Sequence, residues 1–434
     1  MRFFVHGANG ANADKCSAVC LAVAFMTLAC VITPLHSADA ESYDPPAVYL
    51  TWLQDPSTTM TVQWHTEHEG AESRIEYKEV GGEDWEAVTG AEEPAPVPTV
   101  EERLVHTVEI TGLEPGAKYR FRWDEDSETY KFRTMPAELD RPIRVAIGGD
   151  LAHREEPTFP KMNEAVSRFD VDFVVFGGDL AYADGDPRHI ERWFRWFDDY
   201  KNTLVAPDGR LLPHLPGIGN HEIFELRRHE RDGVEHLADE WGLEDGYPTF
   251  YFTFFAFPGK PGYDVLDFGD YMSIILLDTN HYVDIAGEQT EWLESVLAER
   301  GHVPHVFPVY HVPGYPSVRD FEAATNREVR EHWVPLFEEN GVYAAFEHHD
   351  HAYKRTYPLL NNEIHPEGIV YLGDGSWGRA GREPGSREGA QDWFLAKAKE
   401  GYSAYIVTLY PDQFHALAID NEGNVFDEYY RRLE

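Results

Sequence analysis

Cysteine is nearly absent from the chain. The three it has, Cys16, Cys20 and Cys30, all lie in the first 40 residues. Beyond residue 40 there is no disulfide, no thiolate nucleophile and no sulfur ligand, so a metal bound there is held by oxygen and nitrogen. Basic residues are scarce as well: 37 Lys and Arg against 77 Asp and Glu leave a formal net charge of −40. Nucleic-acid phosphates need a basic face and anionic bilayers attract one, so this balance excludes both as partners. It fits an exported protein kept soluble by like charge. One apolar run, about 16–34, approaches the length of a membrane span. Arg2 and Lys15 precede it and Ala38-Asp39-Ala40 follows it, which predicts a signal peptide over 1–40, cut after Ala40. A membrane anchor is the alternative; Thr27-Leu28-Ala29-Cys30 is a poor lipoprotein box. The protein is therefore expected to be secreted or periplasmic, with no membrane association once the signal is removed.

The remaining sequence has the composition of a folded protein, 42% hydrophobic and 26% charged, and at 434 residues it is long enough for two domains. Residues 46–136 read as all-β. Strand runs at 47–52, 59–66, 73–77, 104–110 and 118–123 are separated by turn residues at the spacing of a β-sandwich. The Glu- and Pro-rich stretch 92–102 reads as a solvated loop, and nothing catalytic stands out in this region. From 141 to 434 strands alternate with helices, which predicts an α/β domain. Short apolar runs at 144–147, 171–176, 214–218, 272–277, 305–309 and 342–346 are its strands. Met162, Ala165, Val166 and Phe169 recur at helical spacing. A second helix has Asp186 as N-cap, Pro187 at its first position and Ile190, Trp193, Phe194 and Phe197 on its buried face. A third, 288–300, turns Trp292, Leu293, Val296 and Leu297 inward and ends before Gly301.

The polar clusters fall just past the strand ends, where α/β folds gather their ligands. In chain order they supply Asp150, Asp179, Tyr182, Asn220, His221, His311, His349 and His351. Each alone has a plain explanation, such as a turn-forming Asp, a packing Tyr or a structural His. The group His348, His349 and His351 is harder to explain that way, since alternate residues of an extended segment point the same way and His349 and His351 can converge. A carboxylate- and imidazole-rich site without sulfur suits Zn, Fe or Mn.

Five ordered blocks carry a family resemblance: Gly149-Asp150, Gly178-Asp179-x-x-Tyr182, Gly219-Asn220-His221-Glu222, His311-x-Pro313-x-Tyr315 and His349-x-His351-x-Tyr353-x-Arg355. They resemble the motifs of purple acid phosphatases, within the calcineurin-like metallophosphoesterases. The segments 277–293 and 371–375 resemble the family too, and the N-terminal region is similar to its fibronectin type III-like domain. The resemblance implies a catalytic β-sandwich flanked by helices, and hydrolysis of small-molecule phosphate monoesters by a hydroxide held between two metal ions. It assigns Asp179 as the bridge, Asp150, Tyr182 and His351 to a first metal, and Asn220, His311 and His349 to a second. It implies Fe(III) at the tyrosine site with Zn, Fe or Mn(II) beside it, and gives His221 the phosphate or the leaving group. Alternatives are a phosphodiesterase or a phosphatase with two divalent metals on the same fold, or a non-enzymatic exported binding protein.

There are departures from the family pattern. Ala152 stands where the family has Gly, and His153 nearby is a possible surplus ligand. His348 replaces another Gly and is placed to crowd the metals or touch substrate. The paired histidines of the plant enzymes are missing after Tyr315, where Arg319 stands. The charged segment 226–244 reads as a helical lid. The Gly/Arg segment 378–389, with Arg379, Arg382 and Arg387, reads first as a mobile surface loop and second as a phosphate-recognition element.

Overall fold

Every residue of strand Ala47–Thr51 is buried, so both of its faces are covered. The computed structural model, which describes residues 43–67, 72–94, 103–152, 158–226, 239, 241–373 and 375–433, shows how. The strand pairs with Met60–Thr66, which pairs with Leu104–Ile110, which pairs with Ala91–Pro94, all antiparallel. A second antiparallel sheet, in the order Glu86–Thr89, Arg74–Glu79, Lys118–Arg122, Tyr130–Arg133, faces the first. Trp64 and Trp123 meet edge to face between them at 5.7 Å. This is the expected sandwich, with one correction. Residues 92–94 are not loop but sheet edge, beside Leu104–Ile110, and the rest of that stretch, 95–102, lies outside the described residues. All four residues of Ala91–Pro94 are exposed, which is why their polar sequence carries no strand signal.

The other face of Ala47–Thr51 is covered by the α/β part of the chain. Tyr49 stacks on Phe197 at 4.6 Å and donates to the Phe254 carbonyl at 2.6 Å, and just beyond the strand Trp52 meets Phe173 edge-on at 5.6 Å. Aromatic pairs of this kind contribute about 1 kcal/mol each beyond the area they bury.

The α/β part is itself two packed sheets. The six-stranded sheet runs in the order His214–Pro216, Phe173–Phe176, Ile143–Gly148, Ala404–Tyr410, Gln413–Ile419, Val425–Arg432. The seven-stranded sheet runs Asp264–Phe268, Met272–Leu277, His305–Tyr310, Ala344–Glu347, Val370–Gly373, Tyr353–Thr356, Leu395–Lys399. Their inner faces meet through Phe307 on Phe414 at 5.6 Å and Phe346 on Tyr405 at 6.1 Å. Helices Thr158–Ser167 and Ile190–Thr203 cover the first sheet, with Phe159 and Trp196 against Phe176. Glu288–Glu299 and Val334–Glu339 cover the second, burying Leu293 and Phe337 with Ile275 and Tyr310. Asp186 caps as expected, accepting from the Arg188 amide at 2.9 Å, though the first turn, Pro187–His189, is 3-10. Phe194, expected in the core, is only half-buried, beneath the Arg103 guanidinium at 3.5 Å, and Trp196 is buried in its place.

The first three strands of one sheet and the middle strands of the other are parallel within their sheets. Their carboxyl ends, at Gly148, Phe176, Pro216, Tyr310 and Glu347, lead into every candidate site residue. The expected leader, His153 and most of the expected lid lie outside the described residues.

One buried carboxylate ties the sandwich to the first α/β strands. Asp172 ion-pairs with Arg133 and, at 2.8 Å, with Arg141, and it accepts from the Arg144 amide at 3.0 Å. Burial alone would raise its pKa, but the Arg141 and Arg133 charges outweigh burial and hold it below the usual carboxylate range. A depressed folded-state pKa contributes stability above the unfolded value and loses it as pH falls through the folded value. Asp172→Asn is therefore expected to cost about 3 kcal/mol at pH 7. The difference from wild type should shrink in urea melts as pH falls below the ordinary carboxylate value of about 4.

Candidate metal centre

Five of the eight candidate residues hold a left-handed backbone: Asp150 (φ 58°), Asp179 (56°), Tyr182 (53°), His349 (71°) and His351 (55°). Non-glycine residues in this region are strained by roughly 1 kcal/mol or more each, and such strain concentrates at functional sites. Hydrogen bonds hold the turns in place. The amides of Asp150 and Leu151 donate to the carbonyls of Gly178 and Asp179 at 3.0 and 2.9 Å. The buried Glu222 carboxylate accepts from the amides of Asp179, Leu180 and Gly219, each at 2.8 Å. The amide of His349 donates to Asp150 Oδ2 at 2.9 Å.

These turns bring the candidates together in two groups that share one residue. Asp150, Asp179 and His351 offer donor atoms within 4.8 Å of one another, and so do Asp179, His311 and His349. Tyr182 joins the first group, with its hydroxyl 2.8 Å from Asp150 Oδ1 and 3.2 Å from His351 Nε2. In the second group, His311 Nε2 lies 3.2 Å from Asp179 Oδ2 and 3.0 Å from His349 Nδ1. His311 Nδ1 is bonded to the Gly177 carbonyl at 2.8 Å, which fixes the ring and presents Nε2 to the centre. Asn220 Oδ1 is buried and has no hydrogen-bond partner, an arrangement that suits a cation ligand.

The electrostatics point the same way. Burial would lower the pKa of His311, but Asp179 and Asp150 raise it to about 9, so this corner attracts positive charge. Burial, with His311 and Arg319 beside it, holds His349 well below its ordinary value and keeps it a neutral ring with ligating capacity. Burial, Asp150 and Asp179 push the Tyr182 phenol well above 10. The donor set and its field therefore fit cations at two neighbouring groups that share Asp179.

His221 stands beside this set. Its Nδ1 bonds Asp184, its Nε2 lies 3.8 Å from Asp179 Oδ2, and its ring lies 4.3 Å from that of Tyr182. Asp184 in turn lies 3.8 Å from Arg192. Asp184 and Glu222 are functional positions the sequence reading missed. Glu222 closes one recognised block and Asp184 lies two residues past the end of another, but their roles depend on partners distant in sequence.

Two expectations need correction. His348 neither lines the pocket nor crowds the metal groups. It is buried against two glycines, and a β-carbon added to Gly177 would fall 1.7 Å from its Cδ2. The segment 378–389 is tied to the site rather than loose. The amides of Gly378 and Arg379 donate to the Asp150 carbonyl, that of Arg382 to His351 and that of Gly385 to Ser317. A cavity of about 270 Å³ results, lined by Arg319, Arg379 and Arg382 together with Asp179, Tyr182, Asn220, His221, His349 and His351.

Two packed sheets with a two-group donor set at one strand edge define the class: residues 143–353 match the calcineurin-like phosphoesterase family, and the protein is a metal-dependent phosphoric ester hydrolase. Residues 45–134 match the purple acid phosphatase N-terminal domain, and with both domains present the chain belongs to the purple acid phosphatases, a family with a dinuclear metal site. It is similar to acid phosphatase type 7 of Mus musculus, 23% identical over 429 residues, covering 88% of this chain and 90% of that one. It is 28% identical over 308 residues to purple acid phosphatase 15 of Arabidopsis thaliana, covering 63% of this chain and 53% of that one, about half the relative's length. Its fold is shared with purple acid phosphatase PPD1 from yellow lupin (Lupinus luteus) seeds, with a TM-score of 0.71 at 18% identity over 89% of this chain and 74% of that one. No described helix is long and apolar enough to cross a membrane.

The contact between His348 and Gly177 is testable. Gly177→Ala should destabilise the protein by about 2 kcal/mol or more. His348→Ala added to it should recover part of the loss, so that the thermal melts of the double variant are strongly non-additive.

Proposed function

We propose that this chain hydrolyses phosphate monoesters at the two-group centre, as an exported enzyme with a leader at 1–40, a β-sandwich domain at 46–136 and a catalytic domain at 141–434. The observation that carries the reading is the sharing of Asp179 between two donor groups at the base of a pocket that also holds Asn220 and His221. In this reading Asp150, Tyr182 and His351 complete one metal site and Asn220, His311 and His349 the other. When bound, the two metal ions supply Lewis acidity, which lowers the pKa of water and offsets phosphate charge. Burial and two carboxylates oppose ionisation of Tyr182. A strongly Lewis-acidic ion favours the phenolate, which supports Fe(III) at that position and Zn, Fe or Mn(II) at the histidine-rich one.

The protein groups do the rest. Asp184 occupies His221 Nδ1 and leaves Nε2 on the substrate side. As water oxygen adds to phosphorus and the ester P–O bond breaks, His221 is placed to give its proton to the leaving oxygen. Asp184 orients that ring, and Arg192 steadies Asp184.

The reading is tested by metal analysis, a visible spectrum and rates on matched mono- and diesters. Monoesters should be the faster substrates; faster diester cleavage would move the assignment to a phosphodiesterase. Iron-loaded protein should show a visible charge-transfer band that Tyr182→Phe abolishes. Asp179→Asn should lose metal and hydrolysis together, and full activity in that variant would sink the two-metal reading. Asp184→Asn keeps a residue that tolerates the left-handed backbone found there (φ 59°). It should lower kcat roughly tenfold to a hundredfold with little change in metal content or KM.

A further inference from the structure

One face of the sandwich runs against the charge of the whole chain. Its second sheet turns Ile75, Phe121 and Phe132 into the core, so the alternate residues of those strands face outward. On Arg74–Glu79, Lys118–Arg122 and Tyr130–Arg133 the outward residues are seven Lys or Arg and one acid, Glu76. The chain that carries them has a net charge of −40. Four of the seven cations are answered. Arg74 and Arg122 share Glu76 at 2.9 and 3.0 Å, Lys118 reaches Asp208 at 2.7 Å, and Arg133 pairs with Asp172. The other three, Lys78, Arg120 and Lys131, stand directly opposite one another in a row across three strands, spanning roughly 10 Å. None of the three has a carboxylate at ion-pair distance among the described residues. Like charges directly opposite each other weaken a sheet, so folding alone gives no reason for the row. Trp85 lies beside it, with its ring 4.9 Å from the Lys78 ammonium and 4.1 Å from the Arg122 guanidinium.

We propose that this face docks an acidic polysaccharide, a sugar polymer bearing uronate carboxylates. Three features set the class. The row of cations fits a string of anions rather than a single one. Glu76 shows the group the face accepts, a carboxylate held between two guanidiniums. Trp85 adds an apolar ring on which the C–H face of a sugar packs, with cations alongside it. The acidic remainder of the surface limits the charge density of the partner. A DNA duplex carries one charge per about 1.7 Å and is repelled beyond the patch, as is an anionic bilayer. A uronate polymer carries one charge per sugar or fewer. None of the residues in this face belongs to the donor groups or to the cavity above them, so the docking is independent of the phosphatase reading. It holds the chain on a polymer while the metal centre stays open to small substrates.

The experiment measures binding of the full chain to polygalacturonate fragments by calorimetry at low ionic strength, with the fully methyl-esterified polymer as the neutral control. The charged polymer should bind and the neutral one should not, and the affinity should fall as salt is raised. K78Q/R120Q/K131Q should weaken binding about tenfold or more, since each charge-assisted contact is strong. The same variant should melt no lower than wild type, because it removes cations that repel one another, and its rate of ester hydrolysis should be unchanged. Trp85→Ala, which leaves the row of cations in place, should weaken binding severalfold without changing its salt dependence. No binding of the charged polymer, or equal affinity in the triple variant, would overturn the inference. So would tighter binding of duplex DNA or of phosphatidylserine vesicles than of polygalacturonate. A wild-type dimer in sedimentation that the triple variant converts to monomer, with no polymer bound by either, would assign the face to a second copy of this chain instead.

Discussion

Two buried carboxylates, Asp150 and Asp179, are held close enough to repel each other. Side by side in a medium of low dielectric, such groups would ordinarily protonate or move apart. Here His351 and His311 lie against them, and both carboxyls are held below their usual range even though burial pushes them up. The histidines offset part of the repulsion, and a cation pair would offset more. The left-handed turns, the Glu222 carboxylate under three amides and the Gly177 carbonyl on His311 all keep these donors where relaxation would separate them. The strain at the site is maintained by its surroundings, and the two sheets supply the rigidity that holds it.

That rigidity explains residues that touch no metal group. A pair of packed sheets closes tightly at its strand ends only where side chains are missing, and His348 shows the consequence. Its ring fills the space left by Gly149 and Gly177, joining the ends of Ile143–Gly148 and Phe173–Phe176 to the end of Ala344–Glu347. Below it, Lys354 and Glu347 form a buried pair at 2.6 Å, and Glu347 also accepts from the Gly314 amide and the Tyr310 hydroxyl. The strands that deliver His311 and His349 are thereby locked to each other. A buried pair of this kind adds little net stability but makes one arrangement much better than its neighbours.

The donor groups were legible because each polar cluster breaks an apolar run that is too short for anything but a strand. Asp150, Asp179, Tyr182, Asn220, His311, His349 and His351 all stand at such breaks, and the fold does bring them to one edge. The roles of Asp184 and Glu222 were not legible. A carboxylate that orients a ring or caps three amides has no periodic signature, and its partners are fixed only in three dimensions. The segment 378–389 misled for a related reason. Its glycines and arginines have the composition of a loose loop, while its order comes from backbone bonds that composition does not report. Residues 92–94 misled through exposure, because an edge strand with no buried face shows neither alternation nor an apolar run.

The sandwich, which holds no candidate catalytic residue, nevertheless reaches the site through one helix. Trp193 and Phe197 of Ile190–Thr203 are buried, and Phe197 takes the stacked face of Tyr49 from the sandwich. On the polar side of the same helix, Arg192 donates to the Tyr182 carbonyl at 2.5 Å and approaches Asp184. A shift of the helix along its axis would therefore move the turn that holds Tyr182 and the carboxylate that orients His221. Packing of the sandwich resists that shift, since Tyr49 is also bonded to the Phe254 carbonyl behind it. The N-terminal domain thus acts as a brace. It fixes the angle of a helix whose polar side sets the geometry of the proposed proton donor, and it does so with aromatic contacts rather than with chemistry of its own.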